Sequence, residues 1–173
     1  ANPFLFAIHD RWQARHDEQK DAQDARDVVA AQEQESATYR VPDDVTDHAI
    51  VVGYGRVGRQ LASLLAERGV PLVVVEDDRD LVDKARDDGL HAIRGNAASE
   101  RVMLEAAPER AKLAIFAIPN ALEAGETIAR LKALNPEITV LARAHSDGEV
   151  RHLLEHGADG AVLAERELAY SLA

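Results

Sequence analysis

Three glycines and one carboxylate occupy the positions in this chain where residue type and spacing say most about chemistry. The glycines stand in Gly53-Tyr54-Gly55-Arg56-Val57-Gly58, a G-x-G-x-x-G directly after the apolar run Ala49-Ile50-Val51-Val52. The carboxylate is Glu76, 18 positions past Gly58 at the end of a second apolar run, Leu72-Val73-Val74-Val75. At Gly53 a missing Cβ permits a tight turn off a strand, and at Gly55 it lets the backbone approach a phosphate. At Gly58 it lets a helix pack closely on a sheet. A helix starting at this turn offers N–H groups without acceptors and the positive end of its dipole, both of which suit a phosphate. Arg56, inside the turn, is placed to add positive charge. Glu76 can accept from a ribose 2′-hydroxyl and would repel a 2′-phosphate, and the following Asp77 and Asp78 deepen that repulsion. The pattern therefore predicts a site for NAD, NADH or an adenine mononucleotide such as AMP, and argues against NADP.

Other candidates stand where further strands are predicted to end. Asn96, in Gly95-Asn96-Ala97, would read an adenine edge or cap the helix that follows. Ile118-Pro119-Asn120 would border the far ribose or a second phosphate. Arg143, in Ala142-Arg143-Ala144-His145, would neutralise phosphate or pair with one of the many carboxylates. Catalytic machinery is harder to find. No Tyr-x-x-x-Lys follows the pattern of short-chain reductases, and no serine sits in a nucleophile elbow. The seven histidines show no metal-ligand spacing; His152 and His156 are four apart on a predicted helix but lack a third ligand, and read as surface residues. The expectation is a binding module and no enzyme, with a fragment of an NAD-dependent oxidoreductase as the alternative.

The elements that must position these residues follow from the periodicity. Strands are predicted at about 49–53, 72–76, 90–94, 112–118, 138–142 and 160–163. Helices are predicted between them at about 56–68, 79–88, 98–106, 121–134 and 146–156, with another starting near Glu165. The strand cores are near-continuous apolar runs, as parallel strands covered on both faces require, and Leu113–Ile118 is the clearest. Gly69, Gly89 and Gly157 each follow a helical stretch, where a left-handed residue is wanted. The predicted fold is α/β: a Rossmann-like, doubly wound parallel sheet with helices on both faces, spanning 48–173.

Residues 1–47 differ in character. They are acidic and contain no glycine, with an apolar cluster at Phe4, Leu5, Phe6, Ile8 and Trp12 and a thinner one at Val28 and Val29. A solvated helix is predicted from Arg11 to Glu35, broken by Tyr39-Arg40-Val41-Pro42. This segment reads as a helical linker or arm. Across all 173 residues the net charge is −11, which argues against a nucleic-acid partner. Zero cysteines exclude a disulfide framework or thiolate chemistry, and no apolar run is long enough to span a bilayer. Starting at Ala1 and not at methionine, the chain reads as part of something longer.

With these stretches in place, the chain resembles the RCK (regulator of potassium conductance) nucleotide-binding domain. The form it resembles is the TrkA-N type attached to Kef-type transporters of the cation:proton antiporter-2 family. The resemblance covers roughly residues 46–173 and rests on Val51–Gly58, Gly95-Asn96-Ala97-Ala98, Ile118-Pro119-Asn120 with Glu123-Ala124-Gly125-Glu126, and Ala142-Arg143-Ala144-His145. The opening Asn2-Pro3-Phe4-Leu5-Phe6 is similar to the point where a last transmembrane helix meets the cytoplasm. The resemblance implies a regulatory domain on the cytoplasmic face of a bacterial inner membrane, binding AMP or NAD(H) without a metal. It implies a homodimer through the Rossmann domain, and coupling through the arm to the transmembrane antiporter domain of the same full-length chain. By the same resemblance Gly53, Gly55, Arg56 and Gly58 would hold phosphate, Glu76 the adenosine ribose, and Asn96 with Ala97 the adenine side.

Overall fold

The computed structural model describes residues 20–31 and 40–164. The chain divides into two compact units, Ala1–Thr38 and Tyr39–Ala173. Of the first, the described part is helix α1 over 20–31, every residue of which is exposed, Val28 and Val29 among them. The remainder of the helix predicted from Arg11 to Glu35, the apolar cluster from Phe4 to Trp12 and the helix expected near Glu165 lie outside the described residues.

The second unit is a six-stranded parallel sheet. Its strands are β1 (His48–Val52), β2 (Leu72–Glu76), β3 (His91–Arg94), β4 (Ala111–Phe116), β5 (Thr139–Ala144) and β6 (Gly160–Leu163). The crossovers are α2 (Arg56–Glu67), α3 (Arg79–Asp87), α4 (Glu100–Glu105), α5 (Ala121–Leu134) and α6 (Asp147–Glu155). A short 3-10 turn at Pro108–Arg110 leads into β4. The sheet order is β3-β2-β1-β4-β5-β6, so the chain reverses direction across the sheet between β1 and β4, where ligand crevices of doubly wound sheets open.

Alternation along the strands sends side chains to two separate cores. On one face Ile50, Val52, Val73 and Val75 pack with residues of α4, α5 and α6, including Met103, Ile128 and Leu153. On the other, Ala49, Leu72 and Val74 pack with Ala62 of α2 and with Val82 and Ala85 of α3. Residues 40–47, read from sequence as the end of the arm, belong with the sheet unit. Val41 is buried in the larger core, and Nη1 of Arg110 donates to the carbonyls of Pro42, Asp43 and Val45. Proline and acidic residues mark a break in periodicity, but an arginine 65 to 68 residues away (110 minus 45, and 110 minus 42) is what ties the break down.

Candidate functional site

The site begins at the carboxyl end of β1. Gly53 adopts φ +95°, a conformation that side-chain-bearing residues rarely take, and its N–H donates to the carbonyl of Val75 at 2.9 Å. The chain then turns into α2, whose first residue is Arg56 and whose N-cap is Gly55. Gly58, one turn in, lies against the start of the loop: a Cβ there would sit 1.9 Å from the Gly53 carbonyl oxygen. At Gly55 the same added atom would meet nothing within 4 Å. One glycine is thus demanded by the fold, while the other borders open space.

The N-terminus of α2 has no side-chain cap and no acidic residue in its first turn. By contrast Asp78 caps α3, Asn120 caps α5 and Ser146 caps α6, each through a side-chain oxygen that accepts from backbone N–H groups. The leading N–H groups of α2 are left for an external acceptor, and the bare approach at Gly55 suits a phosphate. Arg56 is exposed at this end and makes no hydrogen bond or ion pair among the described residues.

Glu76 closes the second side. Its Oε2 accepts from the N–H of Tyr54 at 2.6 Å, and its Oε1 accepts from the N–H groups of Asp77 and Asp78 at 2.8 and 2.9 Å. Its backbone carbonyl receives the N–H of Gly95 at 2.9 Å, which ties in the end of β3. One carboxylate therefore joins the turn after β1 to the turn after β2, and it is only half-buried. Carboxylate oxygens have more than one lone pair, so acceptance from backbone leaves capacity for a hydroxyl.

The other predicted positions divide. Ile118 packs on the glycine turn, with its Cγ2 3.0 Å from where a Cβ on Gly53 would lie. Val57 and Arg143 line a cavity of about 100 Å³ with Ala117 at the end of β4, so Arg143 is gathered towards the start of α2. The Arg143 Nε is buried there with no hydrogen-bond partner. Asp77 is exposed, as is Pro119.

Several side chains have duties that sequence reasoning placed elsewhere. Asn96 does not cap α4, whose N-cap is Ser99; its Oδ1 accepts from Ala98 N–H at 2.7 Å in a local turn at the edge of the sheet. Ala97 is buried in the larger core. Asn120 serves as the α5 cap, accepting from Glu123 N–H. The Tyr54 ring turns away into the smaller core, 2% exposed, and its hydroxyl donates to Asp88 Oδ2 at 2.9 Å. Burial, then the bond to Asp88, push that phenol up to about 12. Lys84 and the Tyr54 hydroxyl in turn hold the Asp88 carboxyl below the usual carboxylate range.

His152 and His156 are a second surprise. Expected at the surface, they lie against each other with ring centroids 4.1 Å apart and planes tilted by 41°, and a Cβ on Gly125 of α5 would fall 2.4 Å from His152 Nε2. Gly125 is thus the contact that lets α5 and α6 approach. No spacing rule on one helix reveals a contact made across two. Among the described residues no group of three or more His, Cys, Asp or Glu side chains is arranged to hold a metal.

Comparison with known proteins agrees with this geometry. The model of the TrkA-N domain matches residues 49–164. The chain is 42% identical over 171 residues to YbaL of Escherichia coli strain K12, a protein assigned as a cation/proton antiporter. That alignment covers 99% of this chain and 29% of YbaL, so the chain spans less than a third of that relative. The crystal structure of the TrkA-N domain of the E. coli inner membrane protein YbaL superposes with TM-score 0.71 at 47% identity. It covers 75% of this chain and 96% of that one. A Kef CTD from Shewanella denitrificans in an AMP-bound form shares the fold, with TM-score 0.64 at 23% identity over 72% of this chain and 75% of the other.

Proposed function

From the premise that this chain belongs to the TrkA-N domain family, we propose that it is the nucleotide-binding regulatory part of a monovalent cation:proton antiporter or potassium-efflux transporter. The observation that carries the reading is the uncapped α2 N-terminus beside Glu76, at the reversal of strand order. The ligand is AMP or NAD(H). Its phosphate lies on the N–H groups of α2 with Arg56, and its adenosine ribose hydroxyl donates to Glu76. Asp77 and Asp78 beside that carboxylate oppose a 2′-phosphate. The YbaL relative, aligned along 99% of this chain, and the AMP-bound Kef structure support both the ligand class and the transporter context.

The domain senses and does not catalyse: the described groups around the turn bind and orient, and none forms a nucleophile–base pair. It works on the cytoplasmic face of a bacterial inner membrane, as a homodimer through the Rossmann unit. Occupancy biases the relation between the two copies, and the arm that precedes residue 40 passes that bias to the transmembrane antiporter domain of the full-length chain.

Calorimetric titration with AMP, NAD, NADH and NADP tests this. Micromolar binding of AMP or NAD(H), no binding of NADP and no oxidation of NADH are expected. Binding of none of the four, or of NADP alone, sinks the nucleotide reading. Substrate-dependent loss of NADH absorbance sinks the regulatory one.

A further inference from the structure

We infer that Tyr54 is a positioning residue for the ribose-reading carboxylate, acting through its tether to Asp88; this rests on the nucleotide reading above. The residue is unusual in serving two places at once. Its backbone N–H donates to Glu76 Oε2 at 2.6 Å inside the site, and its hydroxyl donates to Asp88 Oδ2 at 2.9 Å beyond the smaller core. Between those two bonds the ring is 2% exposed and packed with Ala49, Ala62, Val74, Val82 and Ala85. Asp88 is the C-cap of α3, and Lys84 of the same helix donates to it.

The tether matters because of what it holds. Gly53 before Tyr54 and Gly55 after it have no side chains to restrict the turn, so its stiffness comes from contacts with other residues. A tyrosine anchored at ring and hydroxyl supplies the stiffness, fixing where the Tyr54 N–H points. That N–H occupies one of the two Glu76 oxygens, while Asp77 and Asp78 N–H groups hold the other. The carboxylate is thereby oriented by backbone donors on both sides. With its phenol pushed up to about 12, Tyr54 remains a donor across the physiological range.

A pair of ligands isolates the effect. AMP has the 2′-hydroxyl that Glu76 would accept, and 2′-deoxy-AMP lacks it. Tyr54→Phe keeps the ring in the core and removes only the bond to Asp88. If Tyr54 works through Glu76, this variant weakens AMP by about threefold to tenfold, the worth of one hydrogen bond. It leaves 2′-deoxy-AMP within about twofold, and in a Glu76→Gln background it adds almost nothing. Equal weakening of both ligands, or of neither, overturns the inference. Asp88→Ala is the second arm, and it should reproduce the selective loss from outside the core. Asp88→Asn keeps an acceptor for the phenol and should restore discrimination; failure of that rescue also counts against the tether. Failure of the unmodified protein to bind AMP, NAD or NADH is a separate outcome, and removes the nucleotide reading itself.

Discussion

The two halves of the sheet are built alike and finished differently. In the first, α2 starts at a glycine with no side chain to satisfy its leading N–H groups. In the second, α5 and α6 start at Asn120 and Ser146, whose side chains cap them. The first half also places a carboxylate, Glu76, across its two turns, whereas the second fills the space between its helices with Gly125, His152 and His156. Repetition of one strand–helix unit gives the fold, and the α2 end, without a side-chain cap and beside Glu76, is where the proposed nucleotide would bind.

Gly58→Ala should break this comparison most severely. Its Cβ would press on the backbone carbonyl of Gly53, which cannot swing aside as a side chain can. A loss of about 3 kcal/mol in urea unfolding is expected, together with loss of nucleotide binding. A variant as stable as the parent would show that the turn can relax. Gly125→Ala is the matching test in the second half. There the obstacle is the movable His152 ring, so a cost of about 1 to 2 kcal/mol is expected. The double variant Gly125→Ala/His152→Ala should cost less than the sum of its parts, and strict additivity would mean the two residues are not in contact.

The smallest stability change sharpens the comparison most. Gly55→Asp gives α2 the kind of cap that Asp78 gives α3, at a position with open space around it. Thermal unfolding should show stability unchanged or raised by a few tenths of a kcal/mol, because glycine is already an acceptable N-cap. Nucleotide binding should nevertheless be abolished, since the new carboxylate competes for the N–H groups and repels phosphate. Unaltered binding would place the phosphate elsewhere than on α2.

The glycine turn, the alternation of strands and helices and most element bounds were legible because each rests on local chemistry. The predicted helix over 121–134 and strand over 72–76 match the observed spans, since amphipathic and apolar runs report directly on their own burial. Glu76 was legible for the same reason, as a carboxylate that ends a strand. Asn96 illustrates where such reading stops. Asparagine favours a cap and a turn almost equally, and the choice of Ser99 as cap depends on where α4 packs. Tyr54 illustrates it better: nothing at position 54 indicates that its hydroxyl will meet a residue 34 positions away.

By itself the sequence determined the alternating elements, the parallel doubly wound sheet, the glycine turn and the acidic strand end, because backbone conformation and hydrophobic period are written in neighbouring residues. Only the tertiary structure decided that Arg110 would fasten residues 42–45, that Gly125 would admit two touching histidines, and that Tyr54 would span from the site to Asp88. Those contacts join segments far apart in the chain, and their partners are selected by how helices pack on the sheet, a choice no local pattern encodes.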